Sequence, residues 1–422
     1  RRGSGSYKWD SAADPEMIPL WVADMDFATA PCVVEALRRR VDHAVFGYTL
    51  VGRDYYDALT GWFSRRHGYV IDPARVIYVP GVVPAISAII QGLLREGDGV
   101  IVQTPVYNCF FSSIRNSRCR QIDAPLKRVN LDDGRFTYAM DFDALERAAS
   151  SPGARMLLLC NPHNPAGRLW TRAELERVAE ICRRHDIIVV SDEIHCELTA
   201  PGTDYVPYGT VDDRAVVCLS PSKAFNTAGL QIANIVCPDS RVQEAVDRAV
   251  NINEVCDVNP FGVEGLKAAY SPEGEGWLNR LRAYLWENYR YTAGFFSRRL
   301  PQCPVSVLEA TYLPWVDVTA LGIPAAELEE YLKIEAHVWV NCGEMYGAGG
   351  FIRLNIACPR KRLATRLARM ADALDRLNKY EEGIRICTEA IELAQEQGQK
   401  AKESELLFTL GRMYQGMKLD DK

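Results

Sequence analysis

The sequence has no Cys-x-x-Cys pair, no run of about 18 apolar residues and no marked excess of charge of either sign. Its thirteen cysteines are scattered, several within apolar runs such as Met156 to Cys160 and Ala215 to Leu219. They read as reduced core thiols of a cytoplasmic protein. The missing long apolar run argues against a membrane helix, and Arg1 to Ser6 lacks the apolar stretch of a signal peptide. The absent initiator Met suggests processing or excision from a longer chain. A net charge of -6 offers no electrostatic reason to expect nucleic acid or anionic lipid as a partner, so small molecules or proteins are expected. What is present is ordinary for a globular protein: 48% hydrophobic and 25% charged residues. At 422 residues the chain exceeds the size of one hydrophobic core, which implies two packed domains or one domain with an appendage.

From about Tyr69 to Pro238, short β-branched apolar runs alternate with polar helical stretches. That rhythm predicts an α/β domain with a mainly parallel, helix-covered sheet. Expected strands are Val100 to Gln103, Met156 to Cys160, Ile187 to Ser191, Ala215 to Leu219 and Ile232 to Cys237. Thr171 to His185 reads as an amphipathic helix opened by a Thr cap with Glu174 three residues on. Ligands of such sheets bind beyond the carboxyl ends of the strands, where Asn161 and Asn164, then Asp192, then Ser222 and Lys223 follow the apolar runs. After about Pro260 the chain turns to aromatic-rich helix, with short strands expected near Tyr312 to Val318 and His337 to Asn341, as in a smaller α+β domain. From about Arg376 it is rich in Glu, Gln and Lys. There the phrases Lys379 to Ile384 and Leu407-x-x-Leu410-Gly411-x-x-Tyr414 resemble helices of a tetratricopeptide repeat, with an ordinary amphipathic helical pair as the alternative.

The residues at the strand ends suit pyridoxal phosphate (PLP), which requires a lysine, an acid against its ring nitrogen, donors for its phosphate and an aromatic cover. Lys223 within Ser220-Pro221-Ser222-Lys223 offers the amine, and Ser220 or Ser222 a phosphate contact; taken alone, the segment reads more readily as a surface turn. Asp192 can hold the ring nitrogen protonated, although a lone Asp there is also a helix cap. The segments Asn161 to Gly167, Ser191 to His195 and Ser220 to Asn226 occur in the order and spacing of fold-type I PLP enzymes, which the chain therefore resembles. Within that superfamily it is similar to the carbon-sulfur β-lyases of the PatB/MalY type. The likeness runs through Leu20 to Phe27, Phe46 to Thr49, Pro80 to Ala85, Gln103 to Tyr107 and Phe351 to Arg360, and covers about Arg1 to Leu374.

That resemblance implies that Lys223 carries the cofactor, Asp192 pairs with the ring nitrogen, Asn164 bonds the phenolic oxygen and Tyr107 stacks on the ring. It implies phosphate contacts from Ser220, Ser222 and backbone near Val82 and Val83, with Tyr48 reaching across from a second subunit of a homodimer. Arg353 would grip the substrate carboxylate through a bidentate fork, with Trp21 and Asn164 also facing the substrate. His195, three residues after Asp192 where a tyrosine is usual, is expected near the cofactor oxygen. Gln231, eight residues after Lys223, replaces a phosphate-binding Arg of many aminotransferases and fits the lyase branch. Asn108-Cys109 and Tyr346 depart from the branch and point to a shifted substrate preference. The implied organisation is an N-terminal arm and small-domain segment at 1–45, a large PLP-binding domain at 46–260, a small α+β domain at 261–375 and a helical tail at 376–422.

The expected reaction is β-elimination from an L-cysteine S-conjugate or L-cystathionine, giving a thiol, pyruvate and ammonia. Transamination on the same fold is the first rival. A regulatory or scaffold role, with the tail recruiting a protein partner, is the second. A zinc site from Cys160, His163, His195 and Cys196 is disfavoured, because both histidines fall within the cofactor motifs. Gly347 to Gly350 is too short for a dinucleotide loop and reads as a turn before Arg353.

Overall fold

Seven of the short runs pair into one sheet: β1 (Val76–Val79), β2 (Gly99–Val102), β3 (Arg120–Asp123), β4 (Ala154–Cys160), β5 (Ile188–Asp192), β6 (Val216–Leu219) and β7 (Ala233–Val236). The computed structural model describes residues 1–252, 257–396 and 399–416; side chains at 378–382, 394, 396, 401 and 415–416 fall outside that description. The strand order is β1-β7-β6-β5-β4-β2-β3. All pairs are parallel except those of β7, which runs antiparallel to both β1 and β6. The inner strands are apolar because helices cover both faces of the sheet. Met156, Leu158 and Cys160 of β4 enter one core, shared with α1 (Val82–Leu93) and α2 (Asn108–Asn116), while Leu157 and Leu159 enter the other.

All five expected strands form, within one or two residues of their predicted ends. Unexpected are the two sheet edges. Arg120–Asp123 is polar and largely exposed, so it gives no hydrophobic run, and Val76–Val79 is only four residues long. The predicted Thr-capped helix is α3 (Arg172–Arg184): Thr171 accepts from the Glu174 amide and the Glu174 carboxylate returns to the Thr171 backbone.

The smaller domain holds α4 (Pro272–Arg299) and an antiparallel sheet of β8 (Trp315–Asp317), β9 (Asn341–Cys342) and β10 (Phe351–Arg353), ordered β8-β10-β9. The N-terminal segment belongs with it, since Ile18 and Pro19 pair in parallel with Val338 and Trp339. Beyond Pro19 the segment crosses to the large domain, bonded through its carbonyls. Asn355 Nδ2 donates to Val22 O at 2.5 Å and Asp24 O at 2.6 Å, and Asn226 Nδ2 donates to Met25 O at 3.0 Å and Phe27 O at 2.8 Å.

The chain closes with α5 (Arg360–Glu396) and α6 (Lys400–Gly416). Helix α5 continues through residue 376 without a break. Its buried stripe Leu363, Leu367, Met370, Leu374 and Leu377 meets the small domain, and the same spacing resumes with Ile384, Cys387 and Ile391. Cys387 Sγ reaches Leu406 O at 3.7 Å and Gly383 lies beside Met413, so α6 runs back antiparallel along α5. Of the phrase Lys379 to Ile384, the side chains of Lys379 to Glu382 lie outside the described residues.

Candidate active site

Strand ends and helix starts meet at the carboxyl edge of the sheet around a cavity of about 500 Å³, the size of a small-molecule site. Asp192 is the last residue of β5, one residue further into the strand than the sequence reading placed it. Its carboxylate is buried, and among the described residues its hydrogen bond comes from the Ile194 amide at 3.1 Å. Burial pushes this carboxyl up to about 6, against the opposing pull of the Ile194 amide and of Lys223.

Lys223 follows β6, and its Nζ donates to Ala23 O at 2.8 Å. Tyr312 Oη donates to the same carbonyl at 2.9 Å. Burial, followed by the Arg353 guanidinium, pushes the Lys223 amine down to about 8. A sizeable neutral fraction then exists near neutrality, as a nucleophile or base requires.

Arg353 is the last residue of β10 and is buried. Its Nη1 donates to Asn164 Oδ1 at 3.1 Å, its Nη2 to Trp21 O at 3.1 Å, and its Cζ lies 4.7 Å from the Tyr346 ring centroid. Among the described residues the Nε atom of Arg353 and Nδ1 of His195 are buried with no hydrogen-bond partner, so the cavity wall retains polar capacity for a ligand. His195 is held strongly toward its neutral form by burial, then by Lys223 and Arg353.

Trp21, Val82, Val83, Tyr107, Asn164, Asp192, His195, Ser222, Lys223 and Arg353 all line this one cavity. Val82 and Val83 open α1, where backbone N–H groups have no intrahelical acceptor and the helix end is positive. Ser220 does not reach the wall. Its Oγ donates to Ile232 O at 2.6 Å and accepts from the Ser222 hydroxyl at 2.8 Å and the Ser222 amide at 3.1 Å, so it braces Ser222 from behind. Tyr48 lies outside its own chain's cavity, 95% exposed on an extended segment. Gln231 is exposed as well, in a left-handed conformation with its carbonyl accepting from Tyr78, whereas Asn108, Cys109 and Tyr346 line the cavity.

Sequence reasoning missed Tyr7, Ala23, Tyr312, Asn341 and Asn355. Asn341 Nδ2 donates to Trp21 O at 3.1 Å and Tyr346 Oη at 3.0 Å. Asn355 and Ala23 sit within the Phe351 to Arg360 and Leu20 to Phe27 motifs, which were the available signal, although a backbone carbonyl such as that of Ala23 is not specified by its side chain.

A lysine, an acid and an arginine delivered by three different strand ends, beside a helix N-terminus, are the fold-type I arrangement of PLP-dependent transferases. The chain belongs to the aminotransferase class I and II family, whose pattern it matches over residues 15–370. Cystathionine beta-lyase PatB of Bacillus subtilis is 38% identical over 384 residues, which span 89% of this chain and 98% of that protein. Protein MalY of Escherichia coli is 34% identical over 384 residues, spanning 89% of this chain and 97% of its own. The crystal structure of cystalysin from Treponema denticola, which contains a pyridoxal 5'-phosphate cofactor, superposes with a TM-score of 0.84 at 31% identity, covering 89% of this chain and 97% of that one.

Proposed function

We propose that this chain is a PLP-dependent carbon-sulfur β-lyase that converts an L-cysteine S-conjugate or L-cystathionine to a thiol, pyruvate and ammonia. The observation that carries the reading is the convergence of Lys223, Asp192, Asn164 and Arg353 on one cavity, in a chain similar over nearly their whole length to named β-lyases. The residues fit the cofactor. The α1 N-terminus and Ser222 suit a phosphate, the buried Asp192 carboxylate makes no ion pair among the described residues, and Lys223 is an amine of lowered basicity. When bound, PLP supplies a ring that withdraws the negative charge developing at the substrate Cα.

With the cofactor bound, Asp192 would hold the ring nitrogen protonated, and that cation would draw its carboxyl back to the ionised form. Tyr107 would cover the ring and the Asn164 amide would donate to its phenolic oxygen. Arg353, released from Trp21 O, takes the α-carboxylate through its fork. The freed amine of Lys223, anchored by Ala23 O, accepts the Cα proton, and sulfur departs with the Cβ–S bonding pair.

Release of pyruvate and thiol in equal amounts from S-substituted L-cysteines, with added PLP and no keto acid, is the expected result. Lys223→Ala should lower the rate by at least about 10³-fold. Turnover that requires a keto acid would move the site to transamination.

The proposal extends to a homodimer in which Tyr48 reaches the partner's phosphate, supported by the exposure of Tyr48 at 95% and Leu50 at 90%. It includes the division at residues 45, 260 and 375, a cytoplasmic setting favoured by the free cysteines, and a tetratricopeptide-like helical tail that can receive a protein partner. Among the described residues no helix is long and apolar enough to cross a membrane.

A further inference from the structure

We infer that the outer wall of the cavity is a subsite for an uncharged aromatic S-substituent, so that S-aralkyl cysteines are preferred over L-cystathionine; the inference rests on the β-lyase reading. Among the described lining residues the carboxylate, ammonium and guanidinium groups are those of Asp192, Lys223 and Arg353. All three are taken by cofactor and α-carboxylate. The remaining wall includes Tyr7, Trp21, Met345 and Tyr346.

This wall is built rather than incidental. Trp21 stacks on Trp339 with ring centroids 4.1 Å apart at 9°, and Tyr7 leans on it at 5.1 Å and 58°. The indole N–H of Trp21 is occupied, donating to Lys8 O at 3.3 Å, and the Tyr346 hydroxyl accepts from Asn341 at 3.0 Å. Trp21 therefore offers a ligand ring surface and no free donor, and Tyr346 adds its ring to the wall. Trp21 also sets the subsite next to the carboxylate grip, since before substrate binds its carbonyl accepts from Arg353 at 3.1 Å. At the mouth, Tyr7 is 71% and Met345 40% exposed, leaving apolar area that a substituent would cover.

L-Cystathionine carries a second ammonium and carboxylate beyond its sulfur. Bringing them into this wall strips their water without supplying a counter-charge. A benzyl group loses no such hydration. In every case the Cα proton passes to Lys223, the Cβ–S bond breaks with the electron pair on sulfur, and water completes pyruvate and ammonia.

The test compares kcat/KM for S-benzyl-L-cysteine, S-methyl-L-cysteine and L-cystathionine on the holoenzyme, with pyruvate and thiol measured together. Benzyl and alkyl thiols leave with similar ease, so the comparison reads binding rather than chemistry. S-Benzyl-L-cysteine is expected to exceed L-cystathionine by about tenfold or more, chiefly through KM. Tyr7→Ala should cut the benzyl-to-methyl ratio several-fold. Met345→Arg, which offers the distal carboxylate a cation, should raise L-cystathionine relative to S-benzyl-L-cysteine. Equal or better turnover of L-cystathionine by the parent, or ratios unmoved in both variants, would overturn the subsite while leaving the lyase reading intact. Absence of pyruvate from all three substrates would remove that reading and the subsite with it.

Discussion

Burial moves Lys223 and Asp192 toward each other, the amine down to about 8 and the carboxyl up to about 6. Each group is thereby prepared for a partner that restores its charge. Arg353 acts differently, through geometry: its planar fork faces the cavity and Asn164 fixes one arm. Arg353→Lys keeps the charge and loses the fork, so kcat/KM should fall by about 10–100-fold, mostly through KM, in steady-state assays. Beside the site, Glu193 is buried and accepts from the Tyr205 hydroxyl, Ser191 Oγ at 2.8 Å, the Tyr208 amide at 2.8 Å and Asn161 Nδ2 at 3.2 Å. Burial nonetheless pushes it up to about 7 from 4.5. Between those values the folded chain holds a proton that the unfolded chain has lost, so this group's contribution is present below the lower value and fades as pH rises through 7. Denaturant titrations should therefore show the parent losing on the order of a few kcal/mol relative to Glu193→Gln between pH 4.5 and 8.

At the scale of elements, the site depends on where strands and helices stop. The sheet places Cys160 of β4 opposite Asp192 of β5, so the chain leaving β4 delivers Asn164 beside the end of β5. Helix α3 returns the chain between these strands, and its reciprocal cap fixes where it begins. Thr171→Ala should cost about 1 kcal/mol and lower Tm by roughly 1–2 °C in calorimetry, with turnover retained because the cap lies outside the cavity. The cap was legible because it is local, a Thr and a Glu three residues apart. Strand β3 was not, because a polar edge strand is specified by its neighbour's free backbone groups rather than by its own side chains.

For the whole molecule, the family match ends at residue 370, so the distal part of α5 and all of α6 lie beyond it. A chain ending after Leu377 should keep kcat/KM within about twofold in the pyruvate assay, because α6 packs on the distal half of α5 and not on the cavity. A collapse of activity would instead make the hairpin a support of the enzyme. Sequence alone determined the α/β class, the five inner strands, the motif residues Lys223, Asp192, Asn164 and Arg353, and the likeness to β-lyases. Those features are written in side-chain type and short-range spacing, which a linear reading samples directly. Tertiary structure alone decided that Ser220 stands behind Ser222, that Ala23 O, itself held by the Tyr312 hydroxyl, accepts from the Lys223 amine, and that Tyr7, Trp21 and Trp339 form one aromatic wall. These depend on backbone carbonyls and on segments hundreds of residues apart, and their contacts exist only once the two domains and the N-terminal segment have packed together.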